Sequence, residues 1–437
     1  MIIGYYSRYR APFAAHQRIA VKPFFVVAFF LMSALAVVST SAVGQTPPTC
    51  QTEKSIVDTA VTPYVYAGGP ASAAQAVGMI VGVFLDGKPC FYGYGTTKLG
   101  EQDAPTLQTI WEMGSNTKTF TATMLALHQL VDYLNVYSPV DVSQIPCVVS
   151  QGTNLCLVFT PGMQALTYFQ LATFTGGLFD DPPNYQFENA ASYTQADFIT
   201  AFDRWPAPPG GLPAPDVYSN SSYGLIGQVL MSFDGYTDFD DPDAFRASFA
   251  EWIGGPILRP LGMGCTNPNV AAMPAACEVA TRMATGYHVV NGQYVEEESP
   301  WPWVPWGPAG SLRSNAHDMV RYVGAYLGNG KVEGRTVPPV LTQAMLLARR
   351  LTHVPLDPVP AGNAEVGARR QAYAWIVVPK RPGYDLRFWK DGETDNFSSC
   401  VAGVPAKNVG VVVIVNIAMH PGGIPCNLTA QISEQTP

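Results

Sequence analysis

Charge is scarce in this chain, at 13% of 437 residues, and what there is leans negative, with a formal net charge of −8. An acidic balance excludes the basic stripe that a nucleic-acid partner needs. Near-neutral hydropathy without long charged tracts excludes an extended disordered chain. Histidine is scarcer still, with six residues, and neither a CxxC pair nor a histidine cluster offers a zinc-type ligand set. A metal site is therefore not expected from these residues. There is no GxSxG, so the strand-to-helix elbow that carries one kind of Ser-His-Asp triad is missing. No internal repeat or low-complexity tract is present, and past residue 38 no apolar run is long enough to span a bilayer.

What is present begins with the N-terminus. Arg8, Arg10, Arg18 and Lys22 precede an apolar run, Pro23 to Val38, and then the small residues Ser39 to Gly44. This order reads as a signal peptide over 1–44, with Ala42-Val43-Gly44 as the cleavage site and a periplasmic or secreted product; an uncleaved membrane anchor is the alternative. Cleavage removes four bases and no acid, which takes the formal charge from −8 to −12. All eight cysteines lie beyond the cut, and an even count in an exported chain predicts disulfides. Sequence neighbours are the expected pairs: Cys147 with Cys156, Cys265 with Cys277, and Cys400 with Cys426. Reduced, buried cysteines are the alternative.

Gly78 to Thr97 reads as two strands turning at Asp86-Gly87. A helix follows from Ser115, with Phe120, Met124, Leu125, Leu127, Leu130, Val131 and Leu134 as its apolar stripe. Another helix is expected over Gly310–Leu327. Four strand-like runs close the chain: Ala372–Pro379, Leu386–Gly392, Ser398–Pro405 and Val409–Asn416. Strands at both ends with helices between predict an α/β (α+β) fold: one antiparallel sheet built from both chain ends, flanked by helices, with an inserted, mainly helical lobe. Residues 45–437 are expected to form a single domain, with a sheet lobe over 53–114 and 300–437 and a helical lobe over 115–299.

The chemistry starts at Gly114-Ser115-Asn-Thr-Lys118. Ser115 and Lys118 are three apart at a helix start, so they share one face. The positive helix end favours a serine that must become nucleophilic, and a lysine can take its proton only when held neutral by burial or a second cation. Taken alone, the same residues describe a capped helix with a surface lysine. Tyr218-Ser-Asn220 precedes another apolar helix and can deliver a phenol and an amide to one cleft. Trp389-Lys390-Asp391-Gly392 at a strand end supplies the second cation.

In this order the three segments resemble the SxxK, YxN and KTG motifs of the serine β-lactamase and penicillin-binding family, closest to class C β-lactamases and their peptidase relatives. Leu171–Leu178, Tyr218–Gly227, Arg259–Met263, Ala284–Tyr287, Ser314–Met319 and Val404–Lys407 extend the resemblance from about residue 55 to 418. The resemblance implies that Ser115 is acylated and that Lys118 is its base or proton relay. It implies that Tyr218 protonates the leaving nitrogen and helps activate the deacylating water. Asn220 would position Lys118 and the substrate amide, and Lys390 would lower the Tyr218 pKa and bind a substrate carboxylate. The backbone N–H groups of Ser115 and Glu393, just past Gly392, would form the oxyanion hole. The implied substrate is a small molecule, a β-lactam or a peptidoglycan-like peptide, acted on by a monomer with no metal or organic cofactor.

Asp391 departs from the pattern, because the family has a threonine there, and Glu393 stands where small residues are usual. A carboxylate at 391 repels a substrate carboxylate; it ion-pairs with Lys390, receives a substrate amine, as in an esterase or D-aminopeptidase, or points away. His128 and His317 fall inside helical patterns and read as structural. Asp238 to Asp243 reads as a solvated acidic loop. Trp301–Trp306 reads either as an aromatic subsite or as a proline-stiffened packing loop.

Overall fold

The computed structural model describes residues 48–185, 192–203, 205–296, 305–356, 369–419 and 423–436, all within one unit, Thr46–Pro437. The expected signal peptide, 1–44, lies outside the described residues, as do Trp301 and Trp303. No helix among the described residues is long and apolar enough to cross a membrane.

The strands β1 (Gly78–Leu85) and β2 (Lys88–Gly95) form a hairpin. Asp86 and Gly87 both take positive φ, 48° and 83°, as a two-residue turn matched to strand twist requires. From the other chain end come β3 (Arg370–Gln371), β4 (Ile376–Val378), β5 (Arg387–Glu393), β6 (Ser398–Val404) and β7 (Val409–Val415). The sheet runs β3-β4-β5-β6-β7-β1-β2 and every neighbour is antiparallel. One sheet is therefore assembled from both chain ends, as the strand pattern predicts.

The run expected over Ala372–Pro379 shortens to β4. Ala374 takes φ +60° and Ala372 N donates to Trp375 O at 2.8 Å, so its first residues make a turn. The helix expected from Gly310 starts only at Ala316. Arg313–Asn315 instead forms a short strand on Ile110–Glu112, and Asn315 caps the helix by accepting from Asp318 N at 2.8 Å.

Side chains alternate across the sheet. Met79, Val81 and Val83 of β1 and Val411, Val413 and Val415 of β7 meet Val57 and Val61 of helix α1 (Pro48–Val61) and Leu428 and Ile432 of the C-terminal helix Ile424–Gln435. Ile80, Phe84, Val412 and Ile414 face the larger core, with Met319, Val320 and Val323 of the helix Ala316–Tyr326. The helix α2 (Thr117–Val131) lies deep in that core and departs from a one-sided stripe: every residue from Thr117 to His128 is buried. Its threonines fit there because their hydroxyls are used. Thr121 Oγ1 donates to Pro308 O at 2.7 Å, and Thr123 Oγ1 lies 2.6 Å from Tyr326 Oη.

All eight cysteines pair. The three expected neighbour pairs form, and Cys50–Cys90 uses the remaining two, fastening α1 to β2. Each bridge adds about 2–4 kcal/mol by constraining the unfolded chain. Four disulfides place the chain in an oxidising, extracytoplasmic compartment.

His128 closes α2 between two acids, Nδ1 at 3.0 Å from Asp132 and Nε2 at 3.2 Å from Asp234. Burial pushes the imidazolium down, but hydrogen bonds and charge from both acids outweigh it and raise the pKa from 6.5 to about 9. The charged form is therefore favoured by folding. Its stabilisation is full below pH 6.5 and is lost as pH rises through about 9. Thermal melts from about pH 6 to about pH 10 should show this decline, and His128→Gln should flatten it; equal slopes in both proteins would refute the assignment.

Candidate active site

Ser115 is presented by a tight turn. The short strand Ile110–Glu112 ends at Met113, Gly114–Asn116 makes one 3₁₀ turn, and α2 begins at Thr117. Gly114 has φ +50°, and a Cβ there would lie 2.6 Å from Glu393 N and 2.4 Å from Glu393 O, so no larger residue fits. The same close approach forbids a side chain at Gly392, whose Cβ would stand 2.0 Å from Met113 O. Strand β5 thus runs against the Ser115 turn. Asn116 Nδ2 donates to Ser399 Oγ at 2.8 Å, and Ser399 Oγ donates to Met113 O at 3.2 Å, which ties the turn to β6.

Behind the turn, Arg313 Nη2 and Glu112 Oε1 form a buried ion pair at 2.8 Å, each side chain 6% exposed. Arg313 Nη1 also donates to Pro268 O and Ser311 O, both at 3.1 Å. This pair locks the short strand that leads into Ser115.

Two side chains converge on the serine oxygen. Lys118 Nζ lies 2.9 Å from Ser115 Oγ, donates to Ala309 O at 2.9 Å and also donates to Asn220 Oδ1. Tyr218 Oη donates to Ser115 Oγ at 2.5 Å. Tyr218 sits in the loop before the helix α3 (Asn220–Phe233), whose cap, Ser219, accepts from Ser222 N at 2.9 Å. Lys118 is fully buried. Burial and repulsion from Lys390 hold its ammonium well below the ordinary lysine range, against the pull of Asp180, Asp181 and Asp391.

These groups line a cleft of about 620 Å³ shared by Ser115, Tyr218, Asn220, Lys390, Asp391 and Glu393. Lys390, 2% exposed, donates from Nζ to the Asp391 carbonyl at 2.8 Å and to Asp391 Oδ1 at 2.6 Å. Of the three readings for Asp391, the structure shows the ion pair, with the carboxylate 51% exposed. Burial pushes that carboxyl up, but the charge and hydrogen bond of Lys390 prevail and hold it below its ordinary value.

The resemblance implies a phenol lowered by Lys390, and here the structure differs. Burial raises the Tyr218 phenol well above its ordinary value and the Asp391 carboxylate raises it further, while the hydrogen bond with Ser115 opposes both. Lys390 Nζ is committed to Asp391 and stands 5.2 Å from the centre of the Tyr218 ring.

Sequence reasoning missed three contributors. Asp180 and Asp181 hold the Asn220 end of the cleft: Asn220 N donates to Asp180 Oδ1 at 3.1 Å and Nδ2 to Asp181 Oδ1 at 3.0 Å. They follow the Leu171–Leu178 stretch after Phe179, and two adjacent acids after a Gly-Gly loop were the available signal. The Ala309 carbonyl, a backbone group, has no sequence signal. Other residues considered lie elsewhere: Trp306 is buried against Tyr185 and Tyr193 at 4.8 and 4.9 Å, His317 pairs with Glu333 at 3.3 Å, and Asp241 caps the helix Pro242–Ile253.

A family model described as Beta-lactamase matches residues 57–424. A beta-lactamase of Lysobacter lactamgenus is 25% identical over 363 residues, 78% of this chain and 83% of its own length. One of Escherichia coli (strain K12) is 24% identical over 355 residues, 78% and 84%. Among solved structures, a class C beta lactamase from Rhodobacter sphaeroides superposes with a TM-score of 0.63 at 20% identity, covering 87% of this chain and 98% of that one. A Beta-Lactamase/D-Alanine Carboxypeptidase from Pseudomonas syringae gives 0.63 at 20% identity, covering 89% and 98%. With its sheet drawn from both chain ends and a family match that runs from helix α1 to the start of the C-terminal helix, the chain belongs to the beta-lactamase family.

Proposed function

We propose that this chain is an exported serine hydrolase that forms an acyl-enzyme at Ser115, with a β-lactam amide as the bond opened. The observation that carries the reading is the convergence of Lys118 Nζ and Tyr218 Oη on Ser115 Oγ. Of the three partners of Lys118, the Asn220 and Ala309 oxygens can only accept, so a neutral amine places its two N–H bonds there and turns its lone pair to the Ser115 hydroxyl. Burial and the neighbouring Lys390 favour that neutral form. It takes the serine proton as Oγ attacks the carbonyl carbon, and the oxyanion is received by the N–H groups of Ser115 and Glu393. The high phenol pKa makes Tyr218 a proton donor, suited to protonating the leaving nitrogen. In the second step the Tyr218 phenolate takes a proton from water as the water attacks the ester, and Lys118 returns its proton to Ser115 Oγ as it leaves.

The names of the relatives support the lactam reading. A penicillin-binding DD-carboxypeptidase or endopeptidase uses the same groups, and the Lys390–Asp391 pair favours a second reading, an esterase or D-aminopeptidase. The apolar run before Ser39 and the four disulfides support a periplasmic or secreted protein with 1–44 removed; retention of 1–44 as an anchor is the alternative.

Intact mass followed over time with benzylpenicillin and a chromogenic cephalosporin tests the reading. A Ser115 adduct that appears and decays with turnover is expected. A persistent adduct points to the peptidase. No adduct from either compound, in protein that a neutral alkyl fluorophosphonate does label at Ser115, rejects the lactam and leaves the esterase.

A further inference from the structure

We infer that Asp391 sets the charge of the substrate: by occupying Lys390 it turns the cleft away from acyl compounds with a carboxylate and toward those with an ammonium group. This rests on the assignment of Ser115 as nucleophile and, of the readings above, sides with the esterase or D-aminopeptidase: β-lactams carry a carboxylate and should acylate Ser115 slowly.

Among the described residues Lys390 is the only lysine besides Lys118 at the nucleophile, and it would be the natural anchor for a substrate anion. Its Nζ is 2% exposed and already donates to both the carbonyl and the carboxylate of Asp391. Two of the three N–H bonds of Lys390 are thus taken, so a substrate carboxylate would find a single donor left or have to displace an intramolecular carboxylate that has no translational entropy to lose. It would also approach the half-exposed Asp391 itself, a like charge.

The rest of the cleft has the same sign. Asp180, Asp216 and Glu393 line it along with Asp391, against Lys390 and Arg369. Lys118 adds little positive charge, since burial and Lys390 favour its neutral form. Residues 389, 391 and 393 alternate along β5, so Trp389 precedes the two carboxylates on one strand face, and an aromatic ring beside carboxylates suits a cation. The preferred substrate is therefore an ester or amide carrying a protonated or quaternary amine near the reacting carbonyl.

The test uses matched esters in which a tert-butyl group, the isosteric trimethylammonium group or a carboxylate is placed on the acyl side or on the leaving side. In at least one of the two series kcat/KM is expected to favour trimethylammonium over tert-butyl by about tenfold or more, with the carboxylate slowest. That preference should shrink as salt rises. Asp391→Thr, which removes the carboxylate and frees Lys390, should raise the carboxylate-to-ammonium ratio by about a hundredfold; Asp391→Asn is the second variant should threonine disturb the strand. Rates indifferent to charge and salt in both series, a carboxylate preferred by the unmodified protein, or ratios unmoved in both variants would each overturn the inference. Labelling by a neutral fluorophosphonate separates the two layers: Ser115 labelled without charge preference sinks this inference alone, and no labelling sinks the nucleophile assignment and this inference with it.

Discussion

Ser115→Ala is expected to remove all covalent labelling and to lower turnover by about 10⁴-fold or more, with the fold intact. The variant deletes the only atom on which Lys118 and Tyr218 converge. Lys118 keeps the oxygens of Asn220 and Ala309 as acceptors, so the lysine stays in place. The Tyr218 hydroxyl loses its acceptor, which costs about 1–3 kcal/mol when the group stays dry. Circular dichroism should therefore match the parent, with a modest fall in melting temperature. Residual labelling of the variant at any other serine would show that the nucleophile is misassigned.

Arg313→Met is expected to be the most damaging single change outside the cleft, at about 3–5 kcal/mol by urea unfolding. It strands the Glu112 carboxylate, 6% exposed, without the guanidinium that neutralises it, and it removes the donors to Pro268 O and Ser311 O. The double variant Glu112→Gln/Arg313→Met should recover much of that loss, since it deletes the buried charge as well. A further effect is expected on chemistry. Because Glu112 lies on the strand that delivers Ser115, the rate of fluorophosphonate labelling should fall in Arg313→Met even under conditions where the variant is fully folded. A loss below about 1 kcal/mol would mean that Glu112 finds other partners or takes up a proton.

Much of the site is written in local spacing. Ser115 and Lys118 share a helix face, Tyr218 and Asn220 flank a helix cap, and Asp86-Gly87 can hardly be anything but a hairpin turn. A short, continuous apolar run rich in β-branched residues likewise marks β7. What stayed hidden depends on contacts between distant segments. Arg313–Asn315 looks helical by pattern, yet its backbone hydrogen bonds are satisfied by Ile110–Glu112, two hundred residues back in the chain. Asp180 and Asp181 matter only because the Asn220 amide lands on them. The Tyr218 phenol depends on how deeply it is buried and on where Asp391 points, and neither quantity has a sequence signature. The threonine-rich, fully buried α2 likewise defeats a one-sided stripe, since its polar atoms find partners on other elements.

The sheet order makes β1 wait for the far end of the chain. Strand β1 lies between β2 and β7, so a chain emerging N-terminus first can close the β1–β2 hairpin and oxidise Cys50 with Cys90 early, but leaves one edge of β1 bare until Val409–Val415 arrives. Such non-local pairing is slow, and a bare apolar edge invites aggregation in the interval. The nucleophile emerges long before β5, and Gly114 and Gly392 come together only once both chain ends are present. A chain cut short before β5 and β7 then lacks strands that build the cleft, so labelling at Ser115 is expected only of chains whose last strand pairing is complete.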